Sequence, residues 1–397
     1  MTTLRGLTLE EMKDYNILSS VCFTYTTGTD KLAPKEMAPE KLREVKGVFD
    51  ENGTLLGAMI QLEMDCRFEG HDCRFLGIGG VVTDPAERRR GAIRQLFEEG
   101  LPRLYHEGFV LSALYPFSHV FYRKFGYELG IIRCKTKFSP GSLRENLHRA
   151  ASIRRVLPDD PGTDMQQVYT RYIAGKNLAV IRSEDHWRSL RSGTPWENLK
   201  YSYVLYNEEN EPMAYWVGTM VKGEEGATLT IADMAYTCRE GMESIFAMLR
   251  TMNEVGTVQV QLPQDVPIHF LIADPYDVSQ ETNCGGMVRV MNAERALAML
   301  TAPVIAGRCV VEVADKQIPE NNGRFAITGD GHSLTVCKTD AEADLSCTIN
   351  GLSALVVGTL DFQGSLDAGL AQMHRAENRT FMELLFRKRQ QHLHNYF

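Results

Sequence analysis

Gly77-Ile78-Gly79-Gly80-Val81-Val82-Thr83-Asp84-Pro85-Ala86-Glu87-Arg88-Arg89-Arg90-Gly91-Ala92-Ile93-Arg94-Gln95-Leu96 is the stretch on which the reading of this chain turns. Small and β-branched residues from Gly79 to Thr83 predict a strand, and Asp84-Pro85 ends it because proline cannot continue a ladder. Three arginines and Gly91 then lead into a helical pattern with Ile93, Leu96 and Phe97 on one face. The first N–H groups of a helix have no internal partner and lie at the positive end of its dipole. Gly91 has no Cβ and lets an anion approach the backbone. Arg88, Arg89, Arg90 and Arg94 add charge around that point. Two readings fit: a solvated basic helix start, or an anion site of the kind that holds phosphates. The preceding strand favours the second, because arginines crowded at a helix N-terminus are unfavourable unless an anion sits there.

Composition narrows the class. A chain of 397 residues is long enough for two or three domains. With 44% hydrophobic and 24% charged residues it reads as an ordinary globular protein. Its formal net charge of −8 argues against a general nucleic-acid binder and suits a cationic substrate, although solubility alone also explains it. No signal peptide and no membrane-spanning apolar run is read, so no membrane partner is expected. The nine cysteines are scattered without a Cys-x-x-Cys pair, and the histidines show no metal spacing. Disulfides and metals are not expected, and a reducing cytoplasmic setting fits.

Outward from the arginine turn, the spacing predicts a helix over Leu9–Phe23, with Thr8 to Glu11 as a capping box. Strands are predicted over Val45–Phe49 and Leu55–Met64 about the turn Asp50-Glu51-Asn52-Gly53, then over Cys73–Val82. A helix over Arg90–His106, a strand over Val110–Tyr115, a short helix over Ser118–Lys124 and a strand over Leu129–Phe138 follow. The short helix carries Phe121-Tyr122-Arg123-Lys124-Phe125-Gly126-Tyr127, in which Phe121 and Phe125 read as packing residues.

Together these residues resemble the acyl-CoA signature of the GCN5-related N-acetyltransferases (GNAT): Arg or Gln, two residues, Gly, one residue, then Gly or Ala. Arg88 and Gly91 match; Ile93 replaces the last small residue, and that departure with Arg94 after it resembles the enhanced intracellular survival (Eis) branch. The resemblance implies an acetyl-CoA co-substrate whose pantetheine arm pairs with Val81, Val82 and Thr83. It implies that Arg89, Arg90, Gly91, Ala92, Ile93 and Arg94 cradle the pyrophosphate, and that Phe117 and Ser118 touch the cofactor. In the family's Phe-Tyr motif the tyrosine protonates the departing thiolate, which carries over to Tyr122.

The order of elements then repeats. Tyr201–Tyr206, Met213–Gly218, Leu229–Tyr236, a helix over Met242–Met252 and Val258–Leu262 echo the first half. Arg154–Trp187 before them shows broken helical spacings. At the second equivalent of the phosphate turn, Arg239 stands beside Glu240 and Glu243, whose carboxylates would repel a diphosphate. The fold expected is α/β (α+β): an acetyltransferase domain over 1–150, a degenerate one over 151–288, and a unit over 289–397 resembling a sterol-carrier domain. In the last, strands are predicted over Arg308–Val313, Arg324–Thr328 and Ser333–Lys338, with helices over Ala293–Leu300, Leu352–Val357 and Thr380–Leu385.

Amine acetylation calls for a base. The strand Phe75–Val82 carries no acid; Glu63 and Asp65 lie one strand earlier, and His119 stands one helical turn before Tyr122. The survival-protein resemblance implies the terminal carboxylate, here that of Phe397, as general base. It also implies a small polyamine or aminoglycoside substrate and a hexamer. A protein-lysine acetyltransferase, and a non-catalytic protein binding CoA or an apolar ligand, stand as alternatives.

Overall fold

The computed structural model describes residues 2–223, 226–262 and 266–393, leaving aside the side chains of residues 30 and 31. Contacts divide the chain into two compact units. One holds the residues up to Ile131 together with Gly286–Arg389; the other holds Ile132–Gly285 and a short stretch that begins at Gln390.

The first unit opens on an antiparallel meander: β1 (Thr3–Gly6), β2 (Val45–Phe49), β3 (Leu55–Phe68) and β4 (His71–Thr83). β5 (Leu111–Leu114) lies parallel to β4. The capping box forms as read: the Thr8 N–H donates to Glu11, and the Glu11 N–H donates back to the Thr8 hydroxyl. Helix α1 (Met12–Cys22) covers one sheet face with Met12, Tyr15 and Leu18 against Val45, Phe49, Leu55 and Val82. Helix α2 (Ala92–His106) covers the other with Leu96, Phe97, Leu101 and Leu104 against Val48, Met59, Leu76 and Ile78. Helix α3 (His119–Arg123) follows β5, and its aromatic neighbours join that second core: Phe97 stacks on Phe125 at 4.5 Å between ring centroids. The sequence reading passed over β1 and the short helices Thr29–Leu32 and Pro39–Glu44.

The second unit repeats the plan. Lys200–Tyr206, Pro212–Val221 and Ala227–Tyr236 form the meander, and Val255–Leu262 lies parallel to the last of these. Helix Arg239–Arg250 packs Met242, Ile245, Phe246 and Leu249 on one face. Helix Thr163–Ile173 packs Met165, Val168 and Tyr172 on the other. Within 154–187, which reads as broken helical spacing, Ala179–Ile181 is a strand; at the start of that stretch Ser152–Arg155 is an exposed strand on Lys200–Tyr206. Strands this short show too little alternation to announce themselves.

Each sheet is completed by a strand from a remote part of the chain. In the first unit, Met287–Val290 runs antiparallel to β5. In the second, Cys134–Phe138 runs antiparallel to Val258–Leu262. The stretch that follows each repeat therefore closes the sheet of the other.

The last part of the first unit is a five-stranded sheet, in the order Leu334–Thr339, Gly323–Asp330, Ala306–Ala314, Leu345–Thr348, Ala371–Met373. The helix Ile349–Val357, nearly all of it buried, packs beside it. Arg289 is fully buried and donates to both carboxylate oxygens of Asp315, at 2.7 and 3.0 Å, and to the carbonyl of Phe125 at 2.7 Å. The Asn321 amide donates to the same carboxylate. Removing one partner of a buried ion pair strands the other charge, at a cost of about 3–5 kcal/mol. Asp315→Ala therefore lowers the unfolding free energy by about that amount in chemical denaturation; an unchanged midpoint and slope contradicts this role for the pair.

Candidate active site

β4 and β5 pair only from Phe75–Ile78 to Leu111–Leu114. Beyond Ile78, β4 runs on to Thr83, whereas β5 has ended. From Gly79 onward the β4 edge that faced β5 has no ladder partner among the described residues, so its N–H and C=O groups stand ready for an extended ligand. A bulge sits at the same place. Ala58 pairs with Val82 and Ile60 with Gly79, so Gly80 and Val81 together oppose one residue of β3. Gly80 has φ +53°, and a Cβ there would lie 2.1 Å from the Tyr15 hydroxyl, which donates to the Gly80 carbonyl. From α1, the Cys22 thiol reaches the Thr83 carbonyl at 3.4 Å.

The free edge leads into a cleft of about 670 Å³. Its basic wall is Arg88, Arg89, Arg90, Gly91, Ala92, Ile93 and Arg94, with Val81 and Thr83 on the strand side. Arg89 (φ +69°) and Gly91 (φ +93°) both have positive φ, the backbone conformation from which anion-binding turns are built. Gly91 is the N-cap of α2; no side chain caps the helix and no acid stands in its first turn. The amides of that turn thus keep their capacity for an anion. Among the described residues that line the cleft the one carboxylate, Glu87, is held by Arg90 at 2.8 Å, which leaves Arg88, Arg89, Arg94 and Lys124 as surplus charge.

The far wall is aromatic: Phe23, Phe117, Phe121 and Phe125. Tyr122 does not line the cleft. It is 2% exposed and lies one layer behind, with its ring 5.4 Å from Phe117 and 5.1 Å from Phe121. Burial pushes its phenol well above the ordinary tyrosine range and keeps it protonated. Ser118 caps α3 by accepting the Phe121 N–H and is not part of the wall. Val82 turns away to the α1 core, as strand alternation requires of the neighbour of Val81 and Thr83. The Phe397 carboxylate lies outside the described residues. Glu63 and Asp65 are exposed on β3, and Glu63 is paired with Arg74 at 2.7 Å. His119 buries its Nε2 without a hydrogen-bond partner among the described residues. Cys22, Phe23 and Lys124 line the cleft without having been read from the sequence. Lys124 could have been found in the run after Tyr122; the end of α1 carries no such signal.

The second unit preserves the geometry and not the chemistry. Its parallel pairing stops at Ile231 opposite Val260, short of the end of the strand at Tyr236. At the helix start that follows, Arg239 is bound to Glu243 at 2.6 Å and the Cys238 thiol caps the helix. The adjoining hollow of about 390 Å³ is lined by four carboxylates, Glu208, Glu209, Glu211 and Glu240, against one arginine, Arg171; the net negative charge disfavours a diphosphate. Among the described residues no group of His, Cys, Asp and Glu forms a metal site, and no helix is long and apolar enough to cross a membrane.

Comparison with known proteins agrees with this geometry. Residues 3–130 match an acetyltransferase (GNAT) domain family, residues 178–290 a second one, and residues 293–394 a sterol carrier protein domain. An uncharacterised N-acetyltransferase of Streptomyces coelicolor is 23% identical over 321 residues, 77% of each chain. N-acetyltransferase Eis of Mycobacterium tuberculosis is 23% identical over 297 residues, 71% of this chain and 70% of that one. The crystal structure of a GCN5-related N-acetyltransferase from Anabaena variabilis superposes with a TM-score of 0.88 at 18% identity, covering all of both chains. Two acetyltransferase folds in tandem, one with a basic turn at its strand splay, and a sterol-carrier-type domain after them make this chain an N-acetyltransferase of the GCN5-related superfamily, similar to the Eis proteins.

Proposed function

We propose that the protein transfers an acetyl group from acetyl-CoA to an amine of a small cationic molecule, an aminoglycoside or a polyamine. The observation that carries this reading is the parting of β4 from β5 directly above the arginine turn. In this reading residues 1–150 carry acetyl-CoA and the chemistry, 151–288 form a degenerate second domain, and 289–397 bring the terminus to the site. The amides of the turn and the guanidinium groups of Arg89, Arg90 and Arg94 hold the diphosphate. The free edge at Val81 and Thr83 pairs with the pantetheine arm.

The chemistry is a direct displacement. The amine nitrogen forms a bond to the acetyl carbon, the carbon–sulfur bond breaks, and CoA departs as the thiolate. The Val81 N–H polarises the thioester carbonyl. In this reading the thioester sulfur reaches Tyr122 past the Phe117 and Phe121 rings that cover it here; Tyr122 then gives its proton to the sulfur, and the Phe397 carboxylate takes the proton lost by the amine, directly or through water. The Eis resemblance supports a cytoplasmic homo-hexamer as the working assembly.

Four outcomes test this reading. Charge removal in Arg89→Ala/Arg94→Ala weakens acetyl-CoA binding by about a hundredfold or more, since each charge-assisted hydrogen bond contributes about 1.5–3 kcal/mol. The loss is larger at low salt than at high salt in calorimetry; equal affinity in parent and variant contradicts the turn as the anion site. Tyr122→Phe keeps acetyl-CoA binding and lowers kcat, read as thiol release with kanamycin or spermine as acceptor; undiminished turnover removes Tyr122 as the acid. Because burial raises the Tyr122 phenol and only the protonated form donates, its ionisation does not depress kcat below about pH 10, the ordinary tyrosine value. An alkaline fall near pH 9 that disappears in Tyr122→Phe contradicts this. Residues appended after Phe397 abolish turnover; full activity in such a chain places the base elsewhere.

A further inference from the structure

The short helix that carries Tyr122 is held at its C-terminal end by side chains from a remote part of the sequence. A helix leaves its last carbonyls without internal partners, and those must be met by other groups. Here Asn350 donates its amide to the Arg123 carbonyl at 3.0 Å and to the Tyr127 carbonyl at 2.8 Å. Gln317 donates to the Lys124 carbonyl at 3.3 Å. Arg289 donates to the Phe125 carbonyl at 2.7 Å, while Asp315 and Asn321 hold its guanidinium group and that carboxylate in place. Four carbonyls between Arg123 and Tyr127 thus receive N–H groups from residues 289 to 350.

Steric closure accompanies the hydrogen bonds. Gly126 has φ +83°, and a Cβ there would stand 1.5 Å from Arg289 Nη1 and 2.7 Å from Ile349 Cγ2. The backbone just after Tyr122 is therefore pressed directly onto that guanidinium group and onto the start of the helix Ile349–Val357. By contrast, α3 has only five residues and one side-chain cap, Ser118, at its other end. A helix this short has no stability of its own, so its orientation is set from outside.

We propose that Asn350, Gln317 and Arg289 are positioning residues for Tyr122, and that the sterol-carrier-type domain, together with the strand Met287–Val290 just before it, serves acetyl transfer as a clamp on the helix bearing the general acid. This rests on the assignment of Tyr122 made above. None of the three touches the cleft, so acetyl-CoA binding is independent of them; what they set is the direction from which the phenol meets the sulfur. Displacement of a reacting group by about 1 Å can cost on the order of a hundredfold in rate.

The test uses the full chain with Asn350→Ala and Gln317→Ala combined, which leaves the buried Arg289–Asp315 pair intact. Turnover is followed with acetyl-CoA and saturating kanamycin or spermine, and backbone order by amide hydrogen exchange over residues 118–127. The expected result is a fall in kcat of about tenfold, with the KM for acetyl-CoA within about twofold and the thermal midpoint retained. Exchange quickens over 118–127 and not in the core of α2. In a Tyr122→Phe background the same two substitutions change kcat by less than about twofold, because the group they aim is gone. An equal proportional fall in both backgrounds overturns the clamp, as does unchanged exchange and turnover in a folded variant. If Tyr122→Phe alone is fully active, the assignment of the acid fails and the clamp fails with it. If Tyr122→Phe is impaired while the Asn350/Gln317 variant matches the parent in kcat and exchange, only the clamp fails.

Discussion

Two parallel strands part at Ile78, and the site depends on that parting. Had β5 continued beside β4, the amides of Gly79 to Thr83 would be consumed in a ladder and no extended ligand could enter. The bulge at Gly80 re-aims the strand at that point, and Tyr15 and Cys22 of α1 hold its far side. The same strand then feeds a turn in which Arg89 and Gly91 take positive φ, at the N-terminus of α2, which no side chain caps. Hydrogen-bonding edge and positive charge are consecutive in sequence, so one ligand that is extended at one end and anionic at the other can use both.

The second repeat separates what the fold supplies from what the residues supply. It retains the meander, the parallel pair, the early end of that pairing and the following helix. It lacks a net surplus of cations: its arginine at the helix start is neutralised by Glu243, and in the adjoining hollow four carboxylates outnumber Arg171. Shape alone therefore does not make an anion site; uncompensated guanidinium groups beside free amides do. Exchange of closing strands is a further consequence of the tandem arrangement. Because Met287–Val290 completes the first unit's sheet, Arg289 arrives beside the turn after Tyr122 with Asp315 as its counter-charge.

How much of this was legible in sequence follows from the range of each interaction. The arginine turn, the hairpin at Asp50–Gly53 and the Thr8–Glu11 box are local, and their residue types announce them. So is the contrast between Arg88–Arg94 and Arg239–Glu243. Strand exchange is not local: the residues of Cys134–Phe138 say that they form a strand and not which sheet they join. Ser152–Arg155 and Ala179–Ile181 were hidden because short strands lack a periodic signature. At the site, a linear carry-over treats Val81, Val82 and Thr83 alike, whereas alternation sends Val82 to the core. Tyr122 was found from its motif, but its burial behind Phe117 and Phe121 depends on packing against α2, which no motif encodes.

The central claim is that the turn after Val81 grips a diphosphate and so orients a thioester lying along the free edge of β4. Calorimetric titration of the full chain with CoA and, separately, with pantetheine tests it most directly, since the two share the arm and differ in the diphosphate and nucleotide. The account predicts binding of CoA with pantetheine weaker by about a hundredfold or more, the equivalent of two charge-assisted hydrogen bonds. Equal affinities, or no heat with CoA, would contradict it.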